Sequence, residues 1–244
     1  MKQNKYDDDV FFDKYSRMDR SVKGLAGAGE WETLKRMLPD FTGMRILDLG
    51  CGFGWHCQYA MEHGARQAVG VDISEKMLME ARRKNTFQNV EYIKCAMEDI
   101  AFEPEAFDCV ISSLAFHYLV SFEEIVKKIA DCLVPGGNFV FSVEHPVFTA
   151  YGTQDWIYDA EGNIDHFPVD HYFMEGKRDA VFLGEPVVKY HKTLTTYLNT
   201  LLNHGFMITG IEEPQPPARM LAEVPGMKEE LRRPMMLIVA ARKS

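Results

Sequence analysis

Long apolar runs are missing from this sequence. The most extended, such as residues 235–241, fall far short of the roughly 20 residues that a membrane-spanning helix needs, so no span is expected. A surplus of basic charge is missing too: 36 Asp and Glu stand against 27 Lys and Arg, a formal charge of −9. Neutralising a polyanion takes many Lys and Arg, which disfavours nucleic acid as a partner. No Cys-x-x-Cys pair occurs. The five Cys (51, 57, 95, 109, 132) are odd in number, and most sit in apolar segments where a thiol behaves as a small hydrophobe. A reducing, cytoplasmic setting suits them. The segment Met1-Lys2-Gln3-Asn4-Lys5-Tyr6-Asp7-Asp8-Asp9 has neither the apolar stretch nor the small-residue cleavage site of a secretory signal, so export is not expected. What is present is ordinary globular material: 244 residues, 46% hydrophobic and 26% charged, without internal repeats, sufficient for one large domain.

From Met44 to Val143 short apolar runs alternate with longer amphipathic ones, the pattern of a parallel sheet covered by helices on both faces. The spacing predicts strands over 45–49, 68–72, 90–95, 107–112 and 138–143. Helices are expected over 55–63, stopped by Gly64, over 75–85, capped by Ser74, and over 122–133, ending before Pro135-Gly136-Gly137. After Val143 the pattern breaks. Residues 145–190 are aromatic and Gly-punctuated without clear periodicity, which reads as a cap rather than disorder. Periodicity resumes with a helix over 192–204 and two strands over 206–213 and 235–241. No long crossover helix separates that last pair, so the two are expected to pair antiparallel at one sheet edge.

The most informative stretch is Ile46-Leu47-Asp48-Leu49-Gly50-Cys51-Gly52-Phe53-Gly54-Trp55. It sets an acid at the end of the first strand, then glycines at alternate positions that let the backbone turn tightly and approach a ligand, then a helix start. The next strand ends in Asp72, where a carboxylate commonly bonds the hydroxyls of a ribose. A nucleoside-bearing ligand is implied. The dinucleotide pattern Gly-x-Gly-x-x-Gly fails, because Trp55 or Cys57 stands where its third Gly is required, and no Gly-x-x-x-x-Gly-Lys-Ser/Thr loop is present. A carboxylate two residues before the first Gly repels a pyrophosphate but suits a cationic amino-acid group.

These residues resemble the class I S-adenosylmethionine-dependent methyltransferases. The resemblance rests on Asp48-x-Gly50-x-Gly52-x-Gly54, on Asp72, on Glu98-Asp99 after the third strand, on residues Ser112 to Tyr118 after the fourth, and on Pro135-Gly136-Gly137 before the fifth. It implies a doubly wound, mostly parallel seven-stranded α/β sheet with the last strand antiparallel. It also implies S-adenosylmethionine as cofactor and a single methyltransferase domain over 1–244. The domain is expected to divide into a helical lid over 1–39, a cofactor-binding core over 40–144, a substrate cap over 145–190, and a terminal helix and hairpin over 191–244. Carried over by position, Gly50, Cys51, Gly52 and Gly54 would meet the methionine moiety, with Asp48 orienting that loop and the ammonium. Asp72 would hold the ribose, Ile73 and Met77 would line the adenine, and Met97 and Glu98 would meet its edge. Leu114 and His117 would wall the methyl end. Ala96 stands where many relatives place Asp, which leaves the partner of the adenine amino group open.

The donor's methyl is already activated, so the protein's task is alignment and exclusion of water. Aromatic faces from the cap or from Phe11, Phe12 or Tyr15 are candidates to stabilise the sulfonium. A hydroxyl or protonated-amine nucleophile needs a base. His145, beside Glu144 at the end of the fifth strand, and His117 are the first candidates, with His171 and His191 behind them. Each has a plain structural alternative: a turn cap for Asp72, helix-start acids for Glu98 and Asp99, a packed wall residue for His117, and a rigid turn for Glu144-His145-Pro146. His166, Asp170 and His171 do not form a recurrent ligand pattern, so no metal is expected. The segment after the fourth strand, Ser112-Ser113-Leu114-Ala115, lacks the Asn/Asp-Pro-Pro-aromatic motif of amino-methylating nucleic-acid enzymes. A small, partly apolar acceptor with an O or N nucleophile is therefore expected. An RNA or protein methyltransferase, or a non-catalytic cofactor-binding scaffold, is the alternative, and the oligomeric state stays open.

Overall fold

The structure is a computed structural model and describes residues 3–244. The first two positions of the expected lid lie outside the described residues. A short 3-10 turn at Lys5–Asp7 leads into α1 (Asp9–Ser16), α2 (Asp19–Val22) and α3 (Trp31–Met37). Then come β1 (Arg45–Leu49), α4 (Trp55–Glu62), β2 (Gln67–Asp72), α5 (Glu75–Lys84), β3 (Val90–Lys94), β4 (Phe107–Ser113), α6 (Phe122–Cys132) and β5 (Leu133–Glu144). The insertion that follows holds α7 (Pro146–Ala150), β6 (Ile157–Tyr158), β7 (Ile164–His166), β8 (Gly176–Phe182) and β9 (Glu185–His191). The chain closes with α8 (Leu194–Asn203), β10 (Phe206–Glu212), α9 (Ala218–Glu223) and β11 (Met236–Lys243).

Seven strands form one sheet in the order β10-β11-β5-β4-β1-β2-β3. β1 pairs parallel with both β2 and β4, β2 with β3, and β4 with β5, while β11 runs antiparallel between β5 and β10. The expected doubly wound sheet is therefore present. A parallel return between neighbouring strands needs a crossover of a dozen or more residues, usually helical, and β10 and β11 are joined through irregular chain, the six-residue α9 and a 3-10 turn at Glu229–Arg232, with no long helix. The last strand accordingly enters the sheet in the opposite sense.

Alternation along β1 separates two cores. Leu47 and Leu49 join Val69, Val110, Phe139, Phe141 and the apolar face of α6, whereas Ile46 joins Ala68, Cys109, Cys57 and Ala60 on the α4 side. Asp48 shares the face of Ile46, which sends a carboxylate into that second core. Ser121 caps α6 by accepting the Glu124 N–H, and Phe122, Ile125, Val126 and Ile129 are buried along its inner face. Each such side chain contributes about 1.5–3 kcal/mol of apolar burial. Trimming Leu47, fully buried at the sheet centre, to Ala costs about 2–5 kcal/mol.

The structure refines three expectations. β5 starts at Leu133, so Pro135-Gly136-Gly137 lie inside it; Pro cannot donate to a ladder, and it is accommodated where the β4–β5 register shifts between Phe107 and Cys109. The cap is ordered into two antiparallel hairpins, β6–β7 and β8–β9. α3 is part of the body of the fold, since Trp31 and Leu34 pack on Val140, Ile238 and Ala240 of the sheet.

Candidate active site

Parallel strands end along one edge of the sheet, and the loops there build the site. After β1 the chain must turn at once. The N–H groups of Gly50 and Cys51 both donate to the Val71 carbonyl, at 2.8 and 3.0 Å, which pins the loop to β2. Gly50 adopts φ +74°, and a Cβ there would lie 2.5 Å from the Ala115 Cβ. At Gly54 the Tyr92 hydroxyl stands 2.2 Å from where a Cβ would sit, so only glycine can open α4 in this left-handed conformation. The Gly52 N–H donates to Asp72 Oδ2 at 2.9 Å, and the Ser74 N–H to Oδ1 at 2.8 Å.

Burial raises the Asp72 carboxyl to about 6, with those two N–H groups pulling the other way. Asp48 is fully enclosed, and burial, reinforced by the Asp72 charge, pushes it up to about 8. Its Oδ2 lies 3.8 Å from both the Cys57 Sγ and the His56 Nδ1, and its Oδ1 has no hydrogen-bond partner. Burial holds the neighbouring His56 down to about 4, so the ring is neutral at pH 7.

A cavity of about 840 Å³ opens over this edge. From β1, β2, β3 and the loops beyond them it is lined by Gly50, Cys51, Gly52, Asp72, Ile73, Met77, Met97 and Glu98. From the β4 loop come Leu114 and His117, and from β5 comes Glu144. Leu114 holds φ 52°, which costs a non-glycine residue on the order of 1 kcal/mol. Its N–H, donating to the Ser142 carbonyl at 2.9 Å, fixes that turn against the cavity. Tyr15 lines the cavity from the amino-terminal segment, as do Tyr6 and Arg20.

Glu144 anchors a polar cluster that combines sheet and cap. Its Oε1 lies 2.5 Å from the Lys189 Nζ, its Oε2 accepts from the Gln154 amide at 2.8 Å, and Lys189 also donates to Gln154 Oε1 at 2.8 Å. Burial alone would raise this carboxyl, but His117, Lys189 and the Gln154 amide hold it below its ordinary value. His117 is pushed down to about 4, chiefly by burial, with the Glu144 charge opposing. The Glu144 N–H donates to His117 Nδ1 at 3.4 Å, which leaves the proton of the neutral ring on Nε2. Burial raises the hydroxyls of Tyr6, Tyr15 and Tyr118 above the usual tyrosine range, so they stay protonated.

The amino-terminal segment and the cap close over the cavity together. The Gln3 amide exchanges two hydrogen bonds with the Val188 backbone, and Lys14 pairs with Glu185 at 2.7 Å. Phe11 packs on Ala180 and Val187. Asp7 reaches the start of α5, where it accepts from the Ser74 hydroxyl at 2.6 Å and the Lys76 N–H at 3.1 Å.

Not every expected residue reaches the cavity. Asp48, Gly54 and His145 are outside its lining. His145 instead caps α7, its Nδ1 accepting the Val147 N–H at 3.0 Å, with Nε2 2.8 Å from Glu213 Oε1. Nδ1 is thus committed to the helix cap, and Nε2 faces Glu213 without making a hydrogen bond, away from the cavity. His191 is buried, bonded to Thr149 Oγ1 at 2.7 Å and the Tyr172 carbonyl at 2.8 Å, while His171 is exposed. Phe11 is core and Phe12 packs edge-on against Phe53 at 6.0 Å, so of the three amino-terminal aromatics only Tyr15 lines the cavity.

Other lining residues carried no signal in sequence. Lys189 is one Lys in a β-strand, and Arg20 matters because it meets Glu30 at 2.6 Å, a pair made by tertiary packing. Among the described residues no group of three or more His, Cys, Asp or Glu is placed to hold a metal, and no helix is long and apolar enough to cross a membrane.

Comparison with known proteins matches residues 47–141 to the family described as Methyltransferase domain. A crystal structure described as an S-adenosylmethionine dependent methyltransferase of Listeria monocytogenes is 56% identical, covers 91% of this chain and 99% of its own, and superposes with a TM-score of 0.86. One so described from Mesorhizobium loti is 43% identical, with coverage of 90% and 100% and a TM-score of 0.83. An uncharacterized Haemophilus influenzae protein is 34% identical over 98% of this chain and 96% of its own. Other relatives match in part. A tRNA U34 carboxymethyltransferase of Methylococcus capsulatus is 30% identical over 46% of this chain and 35% of its own, and a fatty-acid O-methyltransferase of Mycolicibacterium smegmatis is 26% identical over 62% and 57%.

Proposed function

The chain belongs to the S-adenosylmethionine-dependent methyltransferases, and from that premise we propose that it methylates an O or N nucleophile of a small, partly apolar metabolite. The observation that carries the proposal is the single cavity, which joins the glycine loop and Asp72 to the Glu144–Lys189–His117 cluster under a shared roof of amino-terminal segment and cap. A deep, partly roofed volume of that kind suits a small acceptor. The acceptors named for the partial relatives range from tRNA to a fatty acid, so they do not choose among classes.

The residues fit the cofactor. Trp55 lines the cavity with its Nε1 buried and unpartnered, and Asp48 lies beneath the loop with Oδ1 unpartnered. An amino-acid tail brings an anion for the one and a cation for the other. In this reading the Gly50–Gly52 backbone holds that tail, with Asp48 orienting the loop from beneath, Asp72 holds the ribose, Ile73, Met77, Met97 and Glu98 the adenine, and Tyr15, Leu114 and His117 the wall near the methyl. When bound, the cofactor supplies a methyl activated by its sulfonium. The chain supplies alignment and a dry site, and near-attack alignment can be worth on the order of 7–11 kcal/mol.

Glu144 is the proposed base. It is ionised at neutral pH, and its oxygens keep lone pairs beyond those given to Lys189 and Gln154. It takes the proton of the nucleophile, while His117, neutral with the proton on Nε2, donates a hydrogen bond instead of accepting a proton. Residues 3–30 and 145–190 act as the lid. The test is calorimetric titration with S-adenosylmethionine, followed by incubation with a metabolite pool and with an RNA or protein fraction. S-adenosylhomocysteine formed only with small molecules supports the proposal. Salt-sensitive turnover that follows the macromolecular fraction moves the acceptor to RNA or protein, and binding without any turnover makes the chain a scaffold.

A further inference from the structure

A second cavity of about 190 Å³ adjoins the first. Met18, Arg20, Ala28, Met235 and Met236 line both, so the two are divided by side chains that serve as wall to each. Beyond that partition the smaller cavity is faced by Met220, Met227, Pro214 and Pro216. Five methionines around one small volume form a polarizable, adaptable surface that accepts apolar shapes without a fixed fit. The charges in this wall are already matched: Arg20 with Glu30 at 2.6 Å, Asp19 with Lys23 at 2.8 Å, and Glu230 with Arg233 at 2.7 Å. No ionic occupant is called for. Glu30 does keep one buried oxygen, Oε2, without a hydrogen-bond partner.

We propose that this methionine-lined cavity receives the apolar chain of the methyl acceptor, an unbranched alkyl segment carrying a hydroxyl or amine that donates to Glu30 Oε2. The reacting end then lies in the large cavity and the chain passes the Met18–Met235–Met236 partition. This deepens, and rests on, the reading of the large cavity as the cofactor and acceptor site. Flexible methionines allow the partition to part for a chain of variable length, which a wall of branched side chains does not.

The probes are 1-butanol, 1-hexanol and 1-octanol, titrated by calorimetry into the full chain saturated with S-adenosylhomocysteine. Affinity is expected to rise about fourfold per added methylene until the smaller cavity is filled. Met220→Glu places a charge in that cavity without touching the lining of the large one. It should weaken every alcohol of the series, 1-octanol at least tenfold and more than 1-butanol, while leaving S-adenosylhomocysteine unchanged, and Met220→Leu should keep the whole series. Met227→Glu, on the same wall, repeats the test should the first variant fold poorly. Octanol binding no tighter than butanol, or a chain-length gain that survives both charged variants, overturns the proposal. Failure of wild-type protein to bind S-adenosylhomocysteine is read separately and removes the underlying site instead.

Discussion

Asp48→Asn offers the sharpest test of how this site is built. In the folded chain the Asp48 carboxyl is raised to about 8 from its ordinary 3.8, first by burial and then by the Asp72 charge. A raised folded pKa means that the folded state holds a proton which the unfolded chain has released, so stability falls as pH climbs from about 4 to about 8. Each pH unit in that window costs about 1.36 kcal/mol, and at pH 7 replacement by the uncharged amide recovers at most about 4 kcal/mol. The gain should vanish near pH 4, where both states are protonated. Urea unfolding of wild type and Asp48→Asn at pH 4.5, 6 and 7.5 measures it. Calorimetry should show the opposite for ligand: weaker S-adenosylhomocysteine binding in the variant, because the carboxyl that gives up its proton as the ammonium arrives is gone. A stability gain of the same size at every pH, or no gain, would falsify the placement of an uncompensated carboxyl under the glycine loop. A site built this way trades stability of the empty protein for attraction to a cation.

Four further outcomes are expected. Asp72→Ala should weaken S-adenosylhomocysteine at least tenfold by calorimetry, and an unchanged affinity removes the ribose assignment. His56 and His117, both held near 4 by burial, are neutral in the folded state; the stability this lends is intact above pH 6.5 and drains as pH falls toward 4. Compared with wild type at each pH, the double variant His56→Gln, His117→Gln should gain in melting temperature as pH falls from 6.5 to 4, because both proteins share the opposing slope from Asp48 and Asp72. His145→Ala removes the α7 cap, about 1 kcal/mol, so it should lower the melting temperature and leave turnover per bound cofactor as it was; a fall in kcat at constant cofactor affinity would return His145 to the reaction. Gly50→Ala forces a Cβ against Ala115, and cofactor binding should fail before the fold does.

The central sheet and the cofactor loop were legible in the chain itself because their signals are local. β1, β2 and β4 declare themselves by apolar runs ended by Gly, Asp or Ser, and the positive φ at 50, 52 and 54 favours glycine wherever the turn occurs. Even the antiparallel last strand follows from the lack of a crossover helix before it. The histidines were not legible. His117 and His145 each stand just past a sheet strand, and only packing decides that one ring lines the cavity while the other caps a helix and faces Glu213. Lys189 gains meaning from Glu144, 45 positions earlier, and Arg20 from Glu30, across a turn that periodicity does not define. Short-range sterics and hydrophobic alternation are written residue by residue. The partners of a buried charge depend on which distant segments the collapsed core brings together, and that information exists only in three dimensions.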